Sequence, residues 1–561
     1  NTFAGNTLRT YLSYNHTFLD LLKVNGTLGH ESVVNRYSSL IGTGSGFPSN
    51  SVSELNLSDP ALSRSTSTKG QYALDSYYAR FNFTYNDKYL LTSTFRYDGT
   101  SNFSPENRWN FSYAFALAYR LSQESFLKGN ETINDLKLRL GYGLLNNQNV
   151  GNYVYGTSFR GVQTGLGLGL LINNLQNPDA KWETTKASNI GVDASLLKSR
   201  INLVFDAYIK NTDDLLSSLP LPLYSGTTPS DQYTVAQLTA PTKNIGSITN
   251  KGFEFSINTE NIKSKNFSWN STLTYSQNKN KVTSLVTGST IIPQYIGTDI
   301  ISQVAVGRSV GEFYGYQVEG VYRDANDLNT HPRPINNSTG QALPIGIDQI
   351  WLGDLKFKDI NGDGKIDQND RVYLGSPIPK FQFGINNTFR YKSFELTFFF
   401  NGNYGNKIFN NIKRENEDPR SNFGLLQSVN NFARIGLINA TGSSTDVNNL
   451  YITNPETTVP RVSAGDANQN TRPSSRYIED GSYIRLKNAI FGYNLPYNFV
   501  HKARLSYVRV YTNVQNVFTI TNYSGYDPEV GARFQGATSA GIDYGRYPSQ
   551  RIFTIGLNAG F

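Results

Sequence analysis

The sequence predicts an all-β protein: a transmembrane antiparallel β-barrel of about fifteen visible strands, with short periplasmic turns and long extracellular loops. Three observations carry that expectation. Apolar and polar residues alternate with period two in segment after segment, giving strands with one greasy and one polar face. The connections between segments are by turns short and long. Tyr and Phe are abundant, at 36 and 33 residues, and such rings favour strands and the wet edges of a membrane.

In chain order, alternation starts over 5–15 and 17–29. It is clearest in Tyr77, Ala79, Phe81, Phe83 and Tyr85, set against Arg80, Asn82 and Thr84. After Asn86-Asp87-Lys88 it resumes with Tyr89, Leu91, Phe95 and Tyr97 against Thr92, Thr94, Arg96 and Asp98. Leu136, Leu138, Leu140 and Tyr142 alternate with Lys137 and Arg139, and Ile201, Leu203, Phe205, Ala207 and Ile209 with Asn202, Asp206 and Lys210. Further segments lie near 109–121, 184–196, 247–262, 266–279, 378–391, 394–406, 482–495, 503–518 and 550–561. Many reach the ~9–11 residues that a tilted membrane strand needs. The last alternates Phe553, Ile555, Leu557, Ala559 and Phe561 with Thr554, Gly556, Asn558 and Gly560. Ending an amphipathic strand on Phe resembles the signal read by the outer-membrane assembly machinery.

Short connections are Asn86–Lys88, Lys198–Arg200, Ile262–Lys265 and Lys392-Ser393; long ones span 31–70, 146–182, 215–245, 280–377, 404–478 and 519–548. Periplasmic turns and extracellular loops give that rhythm, whereas a sandwich or a propeller gives no reason for it. The longest apolar runs are as short as Leu396-Thr397-Phe398-Phe399-Phe400, which excludes a membrane helix of ~18 or more apolar residues.

The 561 residues contain no obvious linker, so one large β-architecture is expected over 1–561. A net charge of +8 without a dense Lys/Arg patch gives no case for nucleic acid. Cys is absent, which excludes disulfides and thiolate metal sites. Met is also absent, so Asn1 is no translation start and the natural N-terminus is expected upstream. An odd strand count points the same way. Single-chain bacterial barrels have even numbers, so about seven strands are expected to be missing.

One local motif carries chemistry. Asp359, Asn361, Asp363, Asp367 and Asp370 stand at positions 1, 3, 5, 9 and 12 of a calcium-loop pattern, with Lys365 at position 7 and Gly364 at the sharp turn. Position 12 is Asp rather than bidentate Glu, and no flanking helices are evident. Two readings stand: a Ca2+ site in an extracellular loop, or a rigid ion-free turn whose Asp and Asn side chains cap their own backbone. Catalytic constellations are missing, so no enzyme is expected. His16, His30, His331 and His501 are scattered, and Gly165-Leu-Gly167-Leu-Gly169 precedes no helix signal. Asp213-Asp214 and Glu415/Glu417/Asp418 read as solvated loop charge rather than acid–base pairs. Tyr153, Tyr155, Tyr224 and Tyr233 are loop aromatics that read as packing, with stacking on sugar rings as the alternative.

Several ordered segments resemble the SusC/RagA family of TonB-dependent outer-membrane transporters. They are Tyr97-Asp98-Gly99-Thr-Ser101, Asn177-Pro-Asp-Ala-Lys-Trp182-Glu-Thr-Thr185, Asn189-Ile-Gly191-Val-Asp193 and Asn244-Ile-Gly-Ser-Ile-Thr-Asn250-Lys-Gly252-Phe-Glu254. Lys358-Asp359-Ile-Asn361-Gly-Asp363-Gly364, Tyr404-Gly405-Asn406-Lys407, Asn516-Val-Phe518-Thr519 and Tyr523-Ser-Gly525-Tyr526-Asp527-Pro528-Glu529 complete the set. The resemblance implies a barrel of about 22 strands, an internal plug, and energy from an inner-membrane TonB complex. It also implies a SusD-like surface lipoprotein as lid, an oligosaccharide or peptide substrate, and room for a homodimer of barrels. The plug, the TonB-contacting segment and the first strands of that family have no counterpart in 1–561.

The expected function is therefore active import across the bacterial outer membrane, with Arg80, Arg96, Lys137 and Arg139 facing the lumen as solvating or plug-contacting charges. A TonB-dependent metal-chelate receptor shares the barrel, though Tyr- and Asn-rich loops argue against it. A passive porin or secretion-channel scaffold would need no plug. A soluble glycan-binding β-protein would have to leave the membrane fraction without detergent.

Overall fold

The computed structural model describes all residues except Ser53, 219–239, 286–290, Thr298, Asn337, 422–423, Ala503 and 532–536. Fifteen strands hydrogen-bond in chain order into one sheet. They are β1 (Thr2–Phe18), β2 (Leu22–Thr43), β3 (Arg64–Tyr85), β4 (Tyr89–Thr100), β5 (Trp109–Arg120), β6 (Ile133–Asn147), β7 (Glu183–Leu196) and β8 (Ile201–Asp213). After these come β9 (Gly246–Lys263), β10 (Phe267–Leu285), β11 (Phe381–Tyr391), β12 (Phe394–Tyr404), β13 (Tyr483–Asn494), β14 (Tyr507–Thr521) and β15 (Ile552–Gly560). Contacts divide the chain into two units, Asn1–Ser199 with Asp206–Asn250 and Thr283–Gly288, and Arg200–Phe205 with Lys251–Val282 and Ser289–Phe561.

In the first unit, β1 to β7 pair antiparallel with long registers; β2 and β3 run together from Leu22↔Tyr85 to Thr43↔Arg64. The β3–β4 turn holds Asn86 and Asp87 both at φ 51°, the doubly left-handed geometry that matches the twist of a hairpin and that Asn and Asp tolerate. The alternating apolar residues stay uncovered: Leu140 is 52% exposed, and Tyr77, Tyr97, Leu138, Tyr142 and Ile190 are exposed with it. A soluble sheet would bury this face against a second layer. Here a lipid environment is what accounts for it.

Two sequence expectations shift. Residues 31–43, expected in a loop, continue β2, and the first turn falls at 19–21 rather than before residue 17. His30, Glu31, Asn35 and Arg36 break the greasy alternation, yet their backbone groups pair with β3, whose Ser65–Lys69 stretch is equally polar. Pairing depends on backbone hydrogen bonds, and strand ends beyond the apolar band need no greasy face. In the second unit, the expected strand over 503–518 begins only at Tyr507, after a short helix at Tyr497–Lys502.

The described loops of the second unit build their own core. Ile291–Ile296, Asp299–Ala305, Glu312–Tyr316 and Arg371–Gly375 form a four-stranded sheet, and Lys407–Asn410 pairs between Ile478–Asp480 and Ile542–Asp543. The same loops hold buried clusters centred on Tyr322, Trp351 and Leu352, on Phe313, Phe409 and Tyr477, and on Tyr316, Leu355 and Phe357. The long connections are therefore a folded assembly.

Candidate functional site: the polar wall and the folded loops

In the first unit the charged residues share the face opposite the exposed apolar one. Arg139 on β6 donates both Nη atoms to the Asp206 carboxylate of β8 at 2.8 and 2.9 Å, and its Nε to Asp193 of β7 at 2.9 Å. Lys137 completes the group at 2.7 Å from Asp193. This fork ties three consecutive strands, a use for which the planar guanidinium suits better than an ammonium. Arg96 pairs with Asp98 at 2.8 Å. Arg80 is exposed and makes no ion pair among the described residues. Alternation predicts the shared face, and the partners Asp193 and Asp206 emerge only from strand register.

The motif residues of the first unit act as anchors for a loop core. Trp182 is buried against Phe103 and donates its indole N–H to the Arg108 carbonyl at 3.1 Å, while Ser104 donates to the Pro178 carbonyl. Asp213 and Asp214 pair with Lys186 and Lys181, so they do not form an acid–base couple. Tyr153 lies 6.3 Å from Tyr155, ring to ring. Tyr224 and Tyr233 lie outside the described residues.

In the second unit, three buried ion pairs lock the loops. Arg461 meets Asp354 at 2.9 Å and also donates to the carbonyls of Ile347 and Gln349. Asp354 in turn accepts from the Trp351 N–H and the Asn470 side-chain amide. Arg476 pairs with Glu417. Arg485 pairs with Asp527 at 2.6 Å and with Glu529 at 2.8 Å. Burial raises the Asp527 carboxyl, but the Arg485 guanidinium and the backbone N–H groups of Glu529 and Ser549 outweigh it and hold the group down at about 2. The expectation of solvated charge at 415–418 is thus corrected for Glu417, which is buried; Asp418 pairs with the exposed Arg420. No local signal marks these pairs, since Arg461 and Asp354 stand 107 positions apart.

The Asp359–Asp370 loop satisfies its own backbone. Asp359 accepts from the Gly362 and Gly364 N–H groups at 2.7 and 2.8 Å, Asn361 from Asp363, and Asp363 from Lys365. Asp367 accepts from the Asn369 N–H, and the buried Asp370 from the Ile360 and Asp367 N–H groups. The left-handed φ of Gly362 and Gly364, 75° and 81°, is where glycine is required. Among the described residues no group of three or more His, Cys, Asp or Glu side chains converges on one point.

A family model described as "TonB dependent receptor-like, beta-barrel" matches residues 1–316. TonB-dependent receptor P3 of Formosa agariphila is 36% identical over 575 residues, covering 100% of this chain and 52% of that protein. TonB-dependent receptor SusC of Bacteroides thetaiotaomicron is 30% identical, over 90% of this chain and 45% of that protein. The chain spans about half the length of the curated relatives it matches. A solved RagAB peptide transporter superposes with TM-score 0.78 at 21% identity, over 100% of this chain and 56% of its own. Exposed apolar faces, charged opposite faces and folded long loops are all accounted for: the chain belongs to the TonB-dependent receptor β-barrel family of the bacterial outer membrane, as a SusC/RagA-like member.

Proposed function

We propose that the protein of which this chain is the barrel part actively imports oligosaccharides or peptides across the outer membrane. TonB would supply the energy and a SusD-type surface lipoprotein would close the loops. The observation that carries the reading is the folded loop assembly with its buried ion pairs. A surface that must hold substrate and dock a lid benefits from a rigid scaffold. The relative whose structure is described as a peptide transporter supports the peptide arm, and SusC-like sequence kinship supports the family. The test is uptake in the native host with the gene deleted and restored, on glycan, peptide and iron-chelate sources in turn. Loss of growth on one polymeric source, together with collapse of its uptake under a protonophore, is expected. Uptake indifferent to the protonophore would replace active import with a pore, and loss on iron chelate alone would replace the substrate class.

We also propose a structural Ca2+ in the Asp359–Asp370 loop, on the chemistry of its donors. Asp359, Asn361, Asp363, Asp367 and Asp370 offer only hard oxygen, with the Lys365 carbonyl as the usual seventh-position ligand. Those side chains would have to turn from the backbone N–H groups to the ion. Protease resistance of the loop in calcium against chelator tests it, and identical cleavage in both leaves the ion-free turn.

A further inference from the structure

Among the loops of the second unit lies a cavity of about 300 Å³, the small end of the range for ligand pockets. It suits one sugar ring or one side chain rather than a whole oligomer. Tyr316 lies in its wall, flanked by two guanidinium groups: Arg371 at 5.3 Å and Arg472 at 4.9 Å from the ring centre. Arg371 is the cross-strand partner of Tyr316. Arg472 is fixed from behind, stacking on Phe357 at 4.7 Å and donating to the carbonyls of Asn468 and Gln469. Neither arginine has a carboxylate within ion-pair distance among the described residues, although the buried Arg461 and Arg476 of the same loops both do.

The acidic groups in the wall are already engaged. Asp299 pairs with Arg414, and Asp367 accepts from the Asn369 N–H. The lining carries Arg371 and Arg472 against Asp299 and Asp367, and Arg414, from outside the lining, takes up Asp299. Burial holds the Arg472 guanidinium below its ordinary value, opposed by Tyr316 and the Asp466 carboxylate and reinforced by repulsion from Arg371. An anion in the cavity would offset the repulsion between the two guanidinium groups and compensate the buried charge of Arg472. Gln368 and Gln469 add neutral hydrogen-bonding groups to the wall. Gln469 sits at φ 52°, a left-handed conformation that is uncommon for a residue other than glycine and clusters at ligand sites.

We propose that this cavity is a carboxylate-recognition subsite, in which Arg371 and Arg472 grip an acidic group of the imported molecule while Tyr316 and the glutamines hold its body. A uronic-acid ring and an acidic peptide side chain present the same chemistry, a planar oxyanion that an arginine fork binds well. The proposal rests on the import reading and narrows its substrate to acidic members of either class.

The test is equilibrium binding to the full-length protein, purified in detergent with any lipoprotein that accompanies it. The probes are trigalacturonate against its methyl ester, and Ala-Glu-Ala against Ala-Gln-Ala. In at least one pair the acid form is expected to bind about tenfold tighter or more, as loss of a charge-assisted hydrogen bond implies. The pair that responds identifies the source of the carboxylate. Arg371→Gln should remove that preference, and Arg371→Lys should restore part of it. Arg371 lies at a half-buried strand position, so this variant is chosen before Arg472, whose removal also unstacks Phe357. Heat-dependent gel migration checks that the barrel is intact. Equal binding of acid and neutral forms in both pairs, or an Arg371→Gln protein that keeps the preference, overturns the proposal. Protonophore-insensitive uptake would sink the import reading and leave this binding result standing.

Discussion

Leu140 on β6 and Leu352 in the loop assembly are the same residue in opposite settings. Leu140 is 52% exposed on a sheet face that no protein layer covers, whereas Leu352 is fully buried with Tyr322 and Trp351. Charges are reversed in the same sense. On the wall, Arg139, Asp193 and Asp206 are partly exposed on the face opposite the apolar one. In the loops, Arg461 and Asp354 are 8% and 1% exposed. A wall between lipid and an aqueous lumen takes its cohesion from the backbone ladder, and its side chains match the two solvents. The loops have water as their only solvent, so they must make a core as a soluble domain does.

That contrast can be broken at specific residues. The largest effect is expected from Arg461→Ala, which strands Asp354 without its cation and should cost the loop assembly about 3–5 kcal/mol. Hydrogen exchange across 343–355 and 450–461 would read it, and an unchanged exchange rate there would mean that the loops are not one cooperative body. Leu352→Ala should follow at about 2–5 kcal/mol from cavity formation. The wall should behave otherwise: Leu140→Arg should cost the barrel about 2–4 kcal/mol at mid-membrane depth, less nearer an interface, in urea unfolding from lipid vesicles. A gain or no change for Leu140→Arg would place that face in water.

A pH titration sharpens the loop side. Asp527 is held at about 2 in the folded state, below the ordinary carboxylate value of 3.8. A depressed carboxylate contributes stability above its unfolded value and loses it as pH falls through the folded one. Exchange protection around 523–529 should therefore hold down to about pH 4 and decline between about 4 and 2. An Arg485→Gln variant should already show reduced protection at neutral pH. The smallest effect belongs to Lys198→Ala, which removes an ion pair to Glu131 whose partners are 72% and 79% exposed. A change below about 0.5 kcal/mol is expected, and a larger one would show that the turn is more ordered than its exposure implies.

Much of this fold was legible because it is written at short range. Period-two alternation and the spacing of turns place β4 to β8 within a few residues, and Asn86-Asp87 announces its hairpin, although β3 starts at Arg64, inside the expected 31–70 loop. Strand ends that leave the apolar band were missed, as in 31–43, because there the backbone pairs without a side-chain pattern. The candidate site was less legible. The Asp359–Asp370 motif was visible because its residues are adjacent in sequence. The Arg371–Tyr316–Arg472 cavity was not, because its members come from segments up to 156 positions apart, and any Arg or Tyr in a long loop reads alike until the loop is folded.

By itself the sequence determined the wall: alternation fixes which side chains face lipid, since a strand's period is set by its covalent geometry. Only the tertiary structure decided which charges are neutralised. Ion pairing depends on distances between segments, and those exist only once non-local backbone pairing has fixed the register.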